Sequence, residues 1–275
     1  MRKTLKNREF YRRGPDHRAV LGGVIPDFLT IRQLFAFRSV DIGRWVKPQE
    51  QEQAAGLFYD ALCDLCQILM AQSYPTSKTL KIRRELISLR GTLGLQYGTG
   101  GRPGVSAHYS PLQRNFALAK NAGPGSIAHE WFHAFDHYMA GKMFQPDMLR
   151  PDRDFASALW VHDGEMVDHR LNHLLADCYQ AILLNEAGTE PSSLCRASVA
   201  VDKQQGSFYY GQPEEMCARA FEAFVQDAAI KNHFLVKGSK ESPEAKIGLY
   251  PQGEQRQRIN QAFSRYFSQL CWALA

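Results

Sequence analysis

Apolar residues recur at helical spacing over most of the chain and at near-alternating spacing over one short stretch. Asp27 to Arg38 reads as a short amphipathic helix. Pro48 opens a longer one that runs to about Gln72, with apolar residues at 57, 58, 61, 62, 65, 68 and 69. That spacing lays them on one face, and proline is tolerated in a helix's first turn. The texture then changes. Glu85–Arg90 and Thr92–Tyr97 are short and rich in β-formers, and a glycine-rich turn follows at 98–104. Val105–Ser110 and Arg114–Lys120 read as two more strands, joined by a turn at 110–113. Gly123-Pro124-Gly125-Ser126 then breaks the pattern, with Ser126 placed to cap a helix over 127–140. Helical patterns return at Val167–Asn185, Pro213–Lys231 and Gln255–Trp272, while 141–166 is irregular. The prediction is an α+β fold, mainly helical, with a small antiparallel sheet beside the helix at 127–140. Residues 1–26 form a basic arm and 27–275 a single domain.

Composition narrows the class. The 275 residues are 44% hydrophobic and 22% charged, ordinary for a globular chain with a core. No stretch approaches the roughly 18 to 20 apolar residues of a membrane span, so no membrane partner is expected. The N-terminus has positive charge but no apolar segment after it, which argues against a secretory signal. Six scattered cysteines fit a cytoplasmic protein better than a disulfide scaffold. Cys63-Asp64-Leu65-Cys66 is a CxxC inside an apolar helical run, without a second CxxC, and reads as buried packing cysteines. The net charge of +5 is concentrated in the arm, where Arg2, Lys3, Lys6, Arg8, Arg12, Arg13 and Arg18 face only Glu9 and Asp16. A basic arm can meet nucleic acid. Here a solvated tail packed by Phe10 and Tyr11 is the favoured reading.

One motif carries chemistry. Ile127 to Met139 contains His129-Glu130-x-x-His133. Residues four apart share a helix face, so the two imidazoles can hold one Zn²⁺, and Glu130 can act as general base on water. A catalytic zinc takes a third protein ligand. The metzincin pattern would need glycine at 136 and histidine at 139; the chain has Asp136 and Met139. His137 sits one turn further on but would give poor tetrahedral geometry from the same helix. Asp136 and His137 are therefore assigned to the surroundings of the metal, Asp136 orienting a ligand imidazole. The third ligand is sought on the helix after Pro213, where spacing favours Glu215 over Glu222 and Glu214.

The segments SAHY (106–109), AHEWFHAFDHY (128–138) and YYGQPEEMCARAFEAFV (209–225) resemble a bacterial zincin-like group that includes the large polyvalent protein-associated domain type 1 and the proteins labelled CLCA_X. The opening TLKNREFYRRGPDHR is similar to the latter too. A likeness limited to the two helices is to toxin endopeptidases of the HExxH-plus-distant-Glu type. The resemblance implies His129, His133 and Glu215 as ligands of one zinc per chain, with Glu130 as base. It also implies a tyrosine before the glutamate helix, Tyr209 or Tyr210, as oxyanion donor.

The expected activity is a zinc metalloendopeptidase acting on a peptide or protein substrate. Two alternatives are a non-catalytic zinc-bearing module for protein or nucleic acid and a hydrolase of a non-peptide amide. His169, His173 and Asp177 also share a helix face and read as structural or solvated. His108 reads as a buried, satisfied histidine. The strand 115–120 is a candidate edge that would pair with extended substrate.

Overall fold

The computed structural model describes residues 10–70, 76–99, 107–120, 125–145 and 149–275. The first residues of the basic arm and parts of the 98–104 and 123–126 turns lie outside the described residues. The chain forms two compact units. One comprises residues up to Ala134, then Ala228–Lys237 and Cys271–Ala275; the other comprises Phe135–Asp227 and Gly238–Leu270. The fold is α+β and mainly helical, as the periodicity predicts.

In the first unit, α1 (Phe28–Phe35) starts where Asp27 accepts the Thr30 N–H and ends at Ala36 in a left-handed conformation. The sequence extends it to Arg38; the left-handed residue stops it earlier. Helix α2 (Pro48–Met70) buries Phe58, Tyr59, Leu62, Leu65 and Leu69. Helix α3 (Thr76–Ile87) corrects the strand expected at 85–90. Leu86 and Ile87 complete a helical face begun by Ile82, all three being buried. The helix ends because Leu89, Arg90 and Gly91 all take positive φ. Ser88 closes that turn by donating to Arg84 O and accepting from Gly91 N.

The strands β2 (Val40–Ile42), β3 (Gly94–Tyr97), β4 (Ala107–Ser110) and β5 (Asn115–Leu118) form one sheet in the order β2-β3-β5-β4. The sheet is mixed, not antiparallel. β2 runs parallel to β3 and β3 parallel to β5, while only the β4–β5 hairpin is antiparallel. The long α2–α3 crossover between β2 and β3 supplies the connection that parallel pairing needs. β5 lies inside the sheet and is buried throughout. The edges are β2 and β4, and the expectation of an edge at 115–120 fails.

The described part of the arm is tied down. β1 (Arg12–Arg13) pairs with β6 (Lys231–Asn232), Phe10 packs edge-on against Phe234, and Tyr11 lies by His233. Asp64, fully buried on α2, accepts from Arg12 Nε and Nη2 at 2.7 Å each, from Asn232 Nδ2 at 2.9 Å, and lies 2.7 Å from His17 Nε2. Arg18 pairs with Asp60.

In the second unit, α5 (Ala156–Val161), α6 (Arg170–Leu183) and α7 (Ser193–Gln205) pack on α8 (Pro213–Asp227). Ser192 caps α7, a helix the sequence reading leaves unassigned, and Gly206 ends it at φ 62°. Phe221 and Phe224 of α8 meet Phe263 and Phe267 of α10 (Gly253–Leu274) in an aromatic cluster. A short α9 (Pro243–Lys246) lies between them in sequence. Among the described residues, no helix is long and apolar enough to cross a membrane.

Candidate metal centre

Helix α4 (Ile127–Met143) carries the HExxH motif. Its start is fixed by two contacts: Gly125 N donates to Phe234 O and Ala128 N to Leu235 O. Gly125 needs to be glycine. Its φ is +104°, and a Cβ there would lie 2.7 Å from the Lys237 backbone nitrogen. One turn on, the buried Trp131 donates from Nε1 to Ile87 O at 3.0 Å, which fixes the rotation of the helix. With that face committed, His129, Glu130 and His133 share what remains.

The His129 and His133 rings meet edge-on, with their Nε2 atoms 2.9 Å apart. Two nitrogens bound tetrahedrally to one zinc sit about 3.3 Å apart, given Zn–N bonds near 2.0–2.1 Å. The two imidazoles thus converge on one point. Glu215 joins them: one ligand atom from each of the three residues lies within 4.8 Å of the others. Among the described residues, this is the set of His, Cys, Asp and Glu side chains that could hold an ion. Two imidazoles and a carboxylate suit zinc by donor type. His129 is partly exposed, whereas Glu130, His133 and Glu215 are each less than 10% exposed.

Glu215 owes its place to the start of α8. Pro213 suits the first turn because it has no N–H to satisfy, and the N–H groups of Glu215 and Met216 both reach Gln212 O. A carboxylate in a first turn also gains from the helix dipole. The other α8 glutamate considered, Glu222, is buried and accepts from the Tyr250 hydroxyl at 2.7 Å; it is outside the three-residue set. Burial and that carboxylate push the Tyr250 hydroxyl well up from its usual pKa.

Asp136 is fully buried and accepts from Ser157 N at 3.0 Å, Ser157 Oγ at 2.5 Å and Tyr179 Oη at 2.7 Å, tying α4 to α5 and α6. Burial, followed by the Asp136 charge, drives the Tyr179 hydroxyl far above its ordinary pKa, so it remains a donor. His137 Nε2 lies 3.0 Å from Pro151 O, and His137 is not among the converging residues.

Tyr209 and Tyr210 precede α8, their rings edge-on at 5.2 Å. Two residues the sequence reading passes over hold them. Asp202 accepts from Ser207 Oγ and from the N–H groups of Tyr209, Tyr210 and Gly211. Burial alone would raise its pKa, but those four donors hold it below the usual carboxylate range. Arg219, also buried, donates to Tyr210 O at 2.6 Å, to Ser198 Oγ and to Leu249 O, and its guanidinium lies 5.6 Å from the Tyr210 ring. Burial lowers its pKa, opposed first by Glu215 and then by Glu222. A signal for Arg219 does exist in the sequence, since Glu215, Arg219 and Glu222 recur at helical spacing. Asp202 has no comparable signal, because its partners lie in a loop.

The weaker constellations do not assemble. His169 accepts from Leu171 N as the cap of α6, and the exposed His173 pairs with Asp168. His108 is exposed on β4, not buried, because β4 lies at an edge of the sheet. Cys63 and Cys66 are buried, and burial pushes their thiols up to about 11 and about 12.

The family model for the large polyvalent protein-associated domain 1 matches residues 201–274. The matched stretch contains Asp202, both tyrosines, Glu215 and Arg219, and lies wholly downstream of the HExxH helix. No curated protein sequence and no solved structure matches the chain.

Proposed function

We propose that the chain is a zinc-dependent metalloendopeptidase of the HExxH type, cleaving a peptide or protein substrate in the cytoplasm. The observation that carries this reading is the convergence of the His129, His133 and Glu215 ligand atoms within 4.8 Å of one another. These three residues would hold one zinc ion, which would supply Lewis acidity and lower the pKa of water. Glu130, adjacent to the first ligand and largely buried, takes the proton from the attacking water and passes it to the leaving amine. Tyr209 or Tyr210 donates its hydroxyl to the oxygen on which negative charge develops. Asp136 keeps α4 in register through Ser157 and Tyr179. The six free cysteines accord with a reducing compartment.

The test combines metal analysis with one substitution. Purified protein should carry about one zinc per chain. Glu130→Gln should retain that zinc while hydrolysis of a peptide panel falls by roughly 10³-fold or more, the upper part of the range for loss of a general base. Hydrolysis by Glu130→Gln at the wild-type rate would remove the mechanism. Zinc retention by a wild type that cleaves none of the panel would point to a binding module.

A further inference from the structure

We propose that Asp202 is a positioning residue for this site, acting through the loop Ser207–Gly211 that carries the tyrosine pair into α8. The inference rests on the hydrolase reading above. Asp202 lies in the last turn and a half of α7, where the helix dipole disfavours a negative charge. Its place is explained by what it receives. Oδ1 accepts from Ser207 Oγ at 2.6 Å, Tyr209 N at 3.2 Å and Tyr210 N at 3.0 Å, and Oδ2 accepts from Gly211 N at 2.7 Å. Three consecutive backbone amides are thus aimed at one carboxylate, which sets the course of the loop.

The opposite side of the loop is held as well. Arg219, one helical turn beyond Glu215, takes Tyr210 O at 2.6 Å and lies against the Tyr210 ring. Tyr210 is therefore fixed through its N–H, its C=O and its ring. Tyr209 is 49% exposed yet has its backbone pinned. Such a side chain is available to a substrate without the entropic cost of ordering its main chain. At Gly211 a Cβ would stand 3.1 Å from Asp202 Oδ2, so the chain passes close to the carboxylate there.

Full-length, zinc-loaded wild type, Asp202→Asn and Asp202→Ala would be compared on a quenched fluorescent peptide that the wild type cleaves. Zinc affinity would be measured by chelator competition. Amide hydrogen exchange over 207–211 would be followed in parallel. Asp202→Ala should lower kcat by roughly 10- to 100-fold, the scale of about a 1 Å misplacement, with zinc affinity held within about threefold. Asp202→Asn keeps an oxygen for the three Oδ1 donors and loses the acceptor for Gly211, so its kcat should fall between the two. Exchange at 209–211 should quicken in the same order. Unchanged exchange in Asp202→Ala would overturn the clamp whatever the hydrolysis result. A zinc affinity that falls in step with kcat would make Asp202 plain scaffold, and an unchanged kcat would end its link to the site. If the zinc-loaded wild type hydrolyses nothing, the hydrolase reading fails and this inference with it.

Discussion

Helices α2 and α4 each carry a short motif of metal-capable side chains, and their fates differ. In α2, Cys63 and Cys66 face a dry interior that keeps their thiols protonated, and Asp64 between them is saturated by Arg12, His17 and Asn232. In α4, His129 stays partly exposed, and a carboxylate from α8 meets the two imidazoles. Spacing on a helix is common to both. What separates them is a third metal-capable side chain from a distant segment and the partial exposure of His129. Each motif also has its own carboxylate logic. Asp64 is satisfied by donors that hold the fold, whereas Glu215 stands beside two imidazoles.

The sharpest way to break the comparison is to remove each carboxylate. Asp64→Ala leaves the Arg12 guanidinium part-buried without its partner and should cost about 3 kcal/mol of unfolding free energy, the low end for a broken buried pair. Its pH signature has a definite sign. Burial raises the Asp64 pKa, but the His17, Arg12 and Asn232 contacts outweigh that and hold it low. The stabilisation is therefore complete above the unfolded value of about 3.9 and is lost as pH falls through the lower native one. Denaturant titrations between pH 2 and 6 (roughly the window the unfolded value sets) should show a flatter acid limb in the variant; an identical limb would refute the assignment. Zinc content should be untouched.

Glu215→Ala reverses the pattern. Zinc affinity should drop by roughly 100-fold or more, since even residues that only orient ligands cost 10- to 100-fold. Chelator competition measures it, and wild-type affinity would show that the carboxylate is no ligand. The smallest effect belongs to the cysteines. Cys63→Ala with Cys66→Ala should cost about 1–2 kcal/mol for lost packing and leave zinc content at wild-type level. Loss of zinc in that double variant would reopen α2 as a metal site.

Much of this is legible in the sequence. Asp27 and Pro48 announce α1 and α2, and the HExxH spacing on α4 needs only 3.6-residue periodicity. Pro213 and the glutamates that follow mark the start of α8. The strand expected at 85–90 became the end of α3 because Ile82, Leu86 and Ile87 share a helical face, a pattern that a six-residue window cannot resolve. Strand order was not legible either. Parallel pairing of β2, β3 and β5 depends on which strands the α2–α3 crossover brings together, not on their composition.

The sequence by itself determined α1, α2, α4, α6, α8 and α10 and which residue types could bind a metal, because both follow from local spacing. The tertiary structure alone decided that Glu222 is taken by the Tyr250 hydroxyl, that β5 lies inside the sheet with β4 at an edge, and that Asp202 and Arg219 grip the tyrosine loop. Those outcomes depend on contacts between residues far apart in the chain, and such contacts are set by how whole faces pack.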